Sequence, residues 1–102
     1  MIHVTIRRKQ QLIYVFKVTG HALSAPYGED LVCAGVSAIV TGAANAFDSK
    51  GIRIHLQEGK ADFQVDDLEN KHHQTILELM KIQLKTISES NPKYIQMNEK
   101  ED

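Results

Sequence analysis

The sequence predicts an α+β fold, in which a single-layer, antiparallel-dominated sheet carries two helices on one face in the order β-β-α-β-β-α-β. The first observation is that short segments with alternating apolar residues occur in pairs, separated by polar turns. The second is that two longer segments, residues 30–48 and 69–89, have the composition or spacing typical of helices. The chain has 102 residues, 42% hydrophobic and 25% charged, which suits one domain over residues 1–102.

The first pair of predicted strands occupies residues 2–8 and 12–19. Residues 2–8 alternate between apolar and polar side chains, which predicts a half-buried strand. Residues 12–19 are apolar on both faces for most of their length, so we place this strand at the centre of the sheet. The turn between the strands falls at residues 9–11, and we interpret the basic residues beside it as solvated: Arg7, Arg8 and Lys9.

Residues 30–48 are rich in alanine and glycine and predict the first helix. Asp30 is a suitable N-cap, because its carboxylate can accept a hydrogen bond from a backbone N–H in the first turn. Gly35 and Gly42 each cost about 1 kcal/mol relative to alanine inside a helix, so we expect a compensating close approach of another element. The helix is expected to end at residues 48–51, with Gly51 in a left-handed conformation.

The second half of the chain repeats the pattern of two strands and a helix. Residues 52–56 and 61–65 alternate as strands around a turn at residues 57–60. The second helix carries an apolar stripe of His73, Leu77, Met80, Leu84 and Ile87, which Ile76 and Leu79 widen. Residues 94–98 predict a short last strand, and we expect the charged residues 99–102 to fray.

The bulk composition limits the classes of partner. The formal net charge is -1, which favours no direct nucleic-acid partner. Residues 1–8 alternate, and no segment reaches the roughly 18 apolar residues of a membrane span, so we expect neither a signal peptide nor a membrane segment. A single cysteine cannot form an internal disulfide, and we therefore expect a cytoplasmic protein.

Cys33 is the only cysteine in the chain, and it becomes the third helical residue if Asp30 is the N-cap. The positive end of the helix dipole there favours the thiolate, which is the nucleophilic form. His21 precedes Cys33 by twelve positions, across a loop that can bring an imidazole to the thiol. Ser37 lies one turn after Cys33 on the same helix face. Asp30 can cap the helix or orient His21, and we favour the cap.

Each of these residues also has a purely structural interpretation. A lone cysteine in an alanine-rich helix is usually a small buried side chain. His21 alone is an ordinary loop residue, and Ser37 alone is a packed helical serine. The side chains of His72 and His73 diverge by about 100° on a helix, so they cannot chelate one ion well. We therefore expect no metal site and no cofactor.

A composite motif surrounds the histidine and the cysteine. It consists of Gly20-His21-Ala22, a variable loop, and then Asp30-Leu31-Val32-Cys33-Ala34-Gly35-Val36-Ser37-Ala38. This arrangement resembles the Prp family of ribosomal-processing cysteine proteases, whose pattern is Gly-His-Ala, a loop, and Asp-hydrophobic-Val-Cys-Ala-small-hydrophobic-Ser-Ala. The length, the element order and the ending at Tyr94-Ile95 extend the resemblance over nearly the whole chain.

The resemblance implies an activity that the residues alone leave open. Members of the family remove a short N-terminal extension from a large-subunit ribosomal protein in certain bacteria, and the family suggests a homodimer. By the family's pattern Cys33 is the nucleophile and His21 the base, with Gly20, Asp30 and Ser37 in supporting positions. We expect backbone N–H groups at the start of the helix to hold the oxyanion.

The loop between histidine and cysteine is expected to order around an extended peptide substrate. It contains a proline and is more apolar than the family suggests, and its residues are Ala22, Leu23, Ser24, Ala25, Pro26, Tyr27 and Gly28. A second class of function is an alternative: a non-catalytic, ribosome-associated homodimeric binding module, in which the small-residue helix serves dimerisation.

Overall fold

The computed structural model of the protein describes residues 1–23, 25–26 and 30–102. The elements follow in the order β1 (Ile2–Lys9), β2 (Leu12–Gly20), α1 (Leu31–Ala44), β3 (Ile52–Gln57), β4 (Lys60–Val65), α2 (Lys71–Ser90) and β5 (Ile95–Glu101). The predicted α+β class and the order β-β-α-β-β-α-β are confirmed. No helix within these ranges is long and apolar enough to span a membrane.

The sheet is built around β2, as its apolar sequence predicts. The strand order is β3-β4-β2-β1-β5, and among the described strands only β1 and β5 pair in parallel. A bulge opposite Arg7 and Arg8 inserts Tyr14 as one extra residue in β2. Because of this insertion, Ile13 and Phe16 both lie completely buried in the core shared with the helices. The bulge therefore explains why apolar residues at both odd and even positions of β2 are buried on the same face of the sheet.

Both helices cover one face of the sheet and share its hydrophobic core. α1 buries one residue per turn, namely Val32, Val36 and Val40. The predicted stripe of α2 is confirmed, with Ile87 half-buried at its end and the following residues buried: His73, Leu77, Met80 and Leu84. Ile76 is half-buried beside it, but Leu79 is 52% exposed and does not widen the stripe as predicted. As a result, the start of α1, which carries Cys33, lies beside the last residue of β2 and the first residues of β4.

The glycines of α1 behave differently from each other. At Gly35 an added β-carbon would lie 3.3 Å from Cδ1 of Ile87, so the two helices approach closely there, as expected. At Gly42 the same expectation is wrong, because no described atom lies within 4 Å of such a β-carbon.

The first helix ends at Ala44, four residues earlier than predicted. Phe47 leaves the helix direction and packs against Phe63 and His73, with ring centroids 5.6 and 5.2 Å away. The backbone N–H of Asp48 then donates to Nε2 of His73 at 3.1 Å. Gly51 is left-handed, with φ of 82°, but it turns the chain into β3 rather than capping α1. Burial of Phe47 is thus favoured over further helical turns.

The expectation that residues 99–102 fray is wrong. β5 continues to Glu101, and the backbone N–H of Asp102 donates to the carbonyl of Arg8 at 2.7 Å. Arg8 is not solvated as expected, since only 13% of its side chain is exposed. Its guanidinium donates to Glu78 at 2.6 and 2.8 Å and to Glu99 at 2.7 Å. The charges of the tail are therefore used to attach β5 to β1 and α2.

Replacing Arg8 tests this attachment. Arg8→Met should lower the free energy of unfolding by about 2 kcal/mol at neutral pH, because it removes several charge-assisted hydrogen bonds and leaves Glu78 without its partner, while Glu99 keeps Lys81. The guanidinium hydrogen bond lowers the pKa of Glu78. This stabilisation is present above the unfolded pKa of about 4.3 and is lost as the pH falls through the lower folded value.

Urea unfolding at neutral and acidic pH measures the effect. The matched control is Arg53→Met, because Arg53 and its partner Asp66 are both exposed, and it should change stability by less than about 1 kcal/mol. Equal losses in the two variants, or an Arg8 effect that does not decrease as the pH falls below the unfolded pKa of the glutamates, would contradict the proposed role of Arg8.

Candidate active site

Cys33 lies in the first turn of α1, as predicted. Asp30 has the extended backbone of an N-cap, with φ of -79° and ψ of 96°, and its Oδ1 accepts the backbone N–H of Cys33 at 3.0 Å. The carbonyl of Asp30 accepts the N–H of Ala34, also at 3.0 Å. The N-cap prediction for Asp30 is therefore confirmed. Cys33 itself is half-buried and packs at the margin of the core.

His21 follows directly after the end of β2. The last residue of β2 is Gly20, which has φ of 93°, and a β-carbon there would lie 2.3 Å from the carbonyl oxygen of Met1. Only glycine fits this position without a shift of the backbone. The carbonyl of His21 accepts a hydrogen bond from the N-terminal ammonium at 2.6 Å. The imidazole is exposed, and its Nε2 edge lies against Gly59 in the β3–β4 turn.

The segment that carries His21 contacts Cys33 through a backbone N–H group. The N–H of Ala22 donates to Sγ of Cys33 at 3.1 Å, and Ala22 is buried. His21, Cys33 and Ser37 all line one cleft of about 140 Å³ between α1 and the β3–β4 hairpin. The sulfur therefore borders a cleft that also holds an imidazole, instead of lying among aliphatic side chains alone.

A second hollow, with a volume of about 300 Å³, also borders Cys33. His21 and Ser37 line it as well, together with Leu23, Ala25 and Asp30. Residues of the β3–β4 hairpin and of the histidine loop therefore both line hollows that border Cys33.

The structure describes four of the predicted loop residues. Ala22 is buried, Ala25 is half-buried, and Pro26 is exposed. Leu23 is 80% exposed, with φ of 55°, so a large apolar side chain points away from the core. The remaining predicted loop residues lie outside the described part of the chain: Ser24, Tyr27 and Gly28.

Two N–H groups at the helix start already have acceptors, since those of Cys33 and Ala34 are both bound to Asp30. The expectation that other N–H groups of this turn hold the oxyanion stays a prediction. The donor directed at the sulfur itself is the N–H of Ala22, which belongs to a different segment. Sequence reasoning missed this group because a backbone amide carries no residue-specific signal.

Sequence reasoning also missed the contribution of the β3–β4 hairpin to the cleft. Its residues Leu56, Gln57, Gly59 and Lys60 line the same 140 Å³ space as Cys33. They come to the site because β4 pairs with β2 in a register that sets Thr19 opposite Lys60. The one signal in the sequence for this contact is Gly59, and a glycine at that place indicates no more than a turn.

The histidine pair of α2 is divided between two environments. His73 is completely buried and accepts the N–H of Asp48, whereas the ring of His72 is exposed and lies 3.1 Å from the carbonyl of Ala46. In the described ranges, His, Cys, Asp and Glu side chains form no group of three that could hold a metal ion.

Comparisons with known proteins place the chain among proteases. A family model described as cysteine protease Prp matches residues 1–96. The ribosomal processing cysteine protease Prp of Staphylococcus aureus (strain Mu50) is 36% identical over 86 residues, which cover 79% of this chain and 81% of that protein. The Bacillus subtilis protein of the same name is 57% identical over 47 residues, which span 45% of this chain and 42% of that protein.

Solved structures agree with the sequence comparisons. The crystal structure of Prp from S. aureus in complex with a covalently linked product peptide has a TM-score of 0.91 to this chain at 32% identity. The similarity covers 97% of this chain and 99% of that one. A second S. aureus Prp structure, in complex with a substrate peptide, has a TM-score of 0.84 at 31% identity with the same coverage.

Replacement of Asp30 tests the cap. Asp30→Ala should lower the free energy of unfolding by about 1 kcal/mol, because the N–H of Cys33 loses its side-chain acceptor. Asp30→Asn keeps an oxygen acceptor at the same position and should recover most of that loss. Chemical denaturation of the two variants beside the unmodified protein measures the difference. An alanine variant as stable as the unmodified protein would contradict the capping role.

Proposed function

The chain belongs to the family of the cysteine protease Prp and is a cysteine protease, and we propose that it removes the N-terminal extension of a large-subunit ribosomal protein precursor in a bacterium. One observation supports the site assignment above all others: the half-buried sulfur of Cys33 borders a cleft that His21 also lines. The S. aureus relatives that hold a substrate peptide or a covalently linked product peptide support a peptide as the substrate.

The first chemical step is attack by the sulfur of Cys33. The imidazole of His21 accepts the thiol proton, and the sulfur forms a bond to the scissile carbonyl carbon while the C=O π pair moves to the oxygen. The resulting oxyanion returns this pair when the C–N bond breaks. The hydrogen bond from Ala22 N–H to Sγ supports this step, since a donor directed at the sulfur stabilises its anionic form. The ring of His21 lies against Gly59 in the cleft that Cys33 also lines, and its backbone continues into Ala22, which contacts the sulfur, so a small rotation within the cleft serves the proton transfer.

The second step releases the mature ribosomal protein, whose new N-terminus is the leaving amine. The protonated His21 donates its proton to the leaving amine nitrogen, the C–N bond breaks, and a thioester remains on Cys33. Water then attacks the thioester carbon while His21 accepts a proton from it. The C–S bond breaks, the extension leaves as a carboxylic acid, and the proton returns to the sulfur. This sequence needs no cofactor.

Three further residues support the dyad in this proposal. Gly20 lets the chain turn sharply from β2 into His21, and Asp30 holds the first turn of α1 around Cys33. Ser37 is exposed one turn below the sulfur and lines both hollows, so its hydroxyl is available to the imidazole or to the peptide. The loop of residues 22–28 contacts the substrate.

The proposal places the protein in the cytoplasm as a homodimer with a single domain over residues 1–102. The homodimer is inferred from the family resemblance. The cytoplasm is inferred from the single cysteine, which cannot form an internal disulfide. The nearly balanced charge is consistent with a peptide partner rather than direct contact with nucleic acid.

Cleavage of the precursor is the direct test of this function. The purified protein is mixed with a large-subunit ribosomal protein that carries its N-terminal extension, and intact mass is followed with time. The unmodified protein should release a short N-terminal peptide, and Cys33→Ala should reduce the rate by roughly 1000-fold or more, because no other group can form the thioester. Equal cleavage by the alanine variant would show that the nucleophile is wrongly assigned.

Alkylation of Cys33 tests the base without any substrate. Iodoacetamide should modify the unmodified protein readily at about pH 6, and His21→Ala should react at least tenfold more slowly, because the imidazole no longer takes the thiol proton. His72→Ala is the control, since that ring lies on α2 against Ala46. Slow reaction of all three proteins would favour the non-catalytic binding module over the protease.

A further inference from the structure

Gly59 connects the β3–β4 turn to the residue before the histidine. The turn is formed by Glu58 and Gly59, between Gln57 of β3 and Lys60 of β4. The carbonyl of Gly59 accepts the backbone N–H of Gly20 at 2.9 Å, which extends the pairing of β2 with β4 beyond Thr19. The backbone at the start of the histidine loop is therefore fixed by the hairpin.

The imidazole of His21 also contacts this glycine directly. A β-carbon built on Gly59 would lie 2.8 Å from Nε2, 3.3 Å from Cε1 and 3.6 Å from Cδ2 of His21. The outer edge of the ring thus occupies the space that any other residue at position 59 would need. The backbone of Gly59 is left-handed, with φ of 75°, a conformation that also favours glycine.

We infer that Gly59 is a positioning residue for the catalytic base, so that the hairpin turn, and not only the histidine loop, determines where the imidazole of His21 resides. The inference rests on the proposed function, in which His21 exchanges protons with Cys33. Gly59 acts in two ways: its carbonyl holds the backbone before His21, and its lack of a side chain leaves the cleft wall open for the ring.

A side chain at position 59 should displace the ring rather than unfold the protein. The atoms in its way are the far end of an exposed, rotatable side chain, so the imidazole can move towards solvent. Once outside the cleft, the ring no longer reaches the sulfur of Cys33. Gly59→Ala should therefore lose proton transfer while it keeps its fold.

Gly51 provides a matched control at the opposite end of β3. It is also left-handed, with φ of 82°, and an added β-carbon would lie 2.9 Å from Cβ of Asp67. Gly51→Ala therefore carries the same kind of backbone strain and a comparable steric conflict, but far from the cleft. A loss of activity caused merely by strain in the hairpin would appear in both variants.

The experiment compares the two variants in precursor cleavage and in alkylation by iodoacetamide. Gly59→Ala should lower kcat at least about tenfold with KM within about twofold, and its alkylation at about pH 6 should slow to the rate of His21→Ala. Gly51→Ala should keep both rates within about twofold of the unmodified protein. Its melting temperature should be no higher than that of Gly59→Ala, so a loss of stability alone does not explain a loss of activity. If Gly59→Ala does not fold, Gly59→Asn replaces it, because asparagine tolerates left-handed backbone and carries the same β-carbon.

The outcomes separate this inference from the proposed function. A Gly59 variant with unmodified kcat and alkylation rate overturns the inference alone, whereas a His21→Ala variant that cleaves at full rate overturns the base assignment and the inference together. Alkylation needs no substrate, so it decides the role of Gly59 even if the precursor is the wrong peptide. In the unmodified protein, an NOE between the ring protons of His21 and the α-protons of Gly59 is expected, and its absence overturns the contact.

Discussion

The hydrogen bond from the backbone N–H of Ala22 to the sulfur of Cys33 joins the central strand to the first turn of α1. The site depends on this junction because His21 and Cys33 come from different elements and share no regular secondary structure. Gly20 allows the chain to leave β2 at the necessary angle, and Asp30 fixes the start of α1. The chemistry therefore takes place where a strand end and a helix start are held against each other.

The rest of the fold supports this junction from both sides. Pairing of β2 with β4 brings Gly59 to the imidazole and forms one wall of the cleft. At the opposite end of β1, Arg8 attaches β5 to β1 and α2 through Glu78 and Glu99. The helices close the core over β2, so the strand that ends just before His21 is held on one face by the helices and on both edges by β1 and β4.

Much of this arrangement follows from local patterns in the chain. Alternation predicted the strands, the apolar stripe predicted α2, and a carboxylate three residues before Cys33 predicted the cap, because these interactions lie within a few residues of each other. The errors arose where distant residues compete with local preference. α1 ends early because Phe47 finds a place against Phe63 and His73, and the acidic tail is ordered because it meets Arg8.

The sequence by itself determined the element order and the helix cap, since composition and spacing along the chain carry that information, and it identified the two side chains that we propose to react. Only the tertiary structure decided that Ala22 donates to the sulfur and that Gly59 lies against the imidazole. These contacts depend on the register of β2 with β4 and on the packing of α1 over the sheet. A backbone amide or a glycine has no side chain by which its role at a distant site could be recognised.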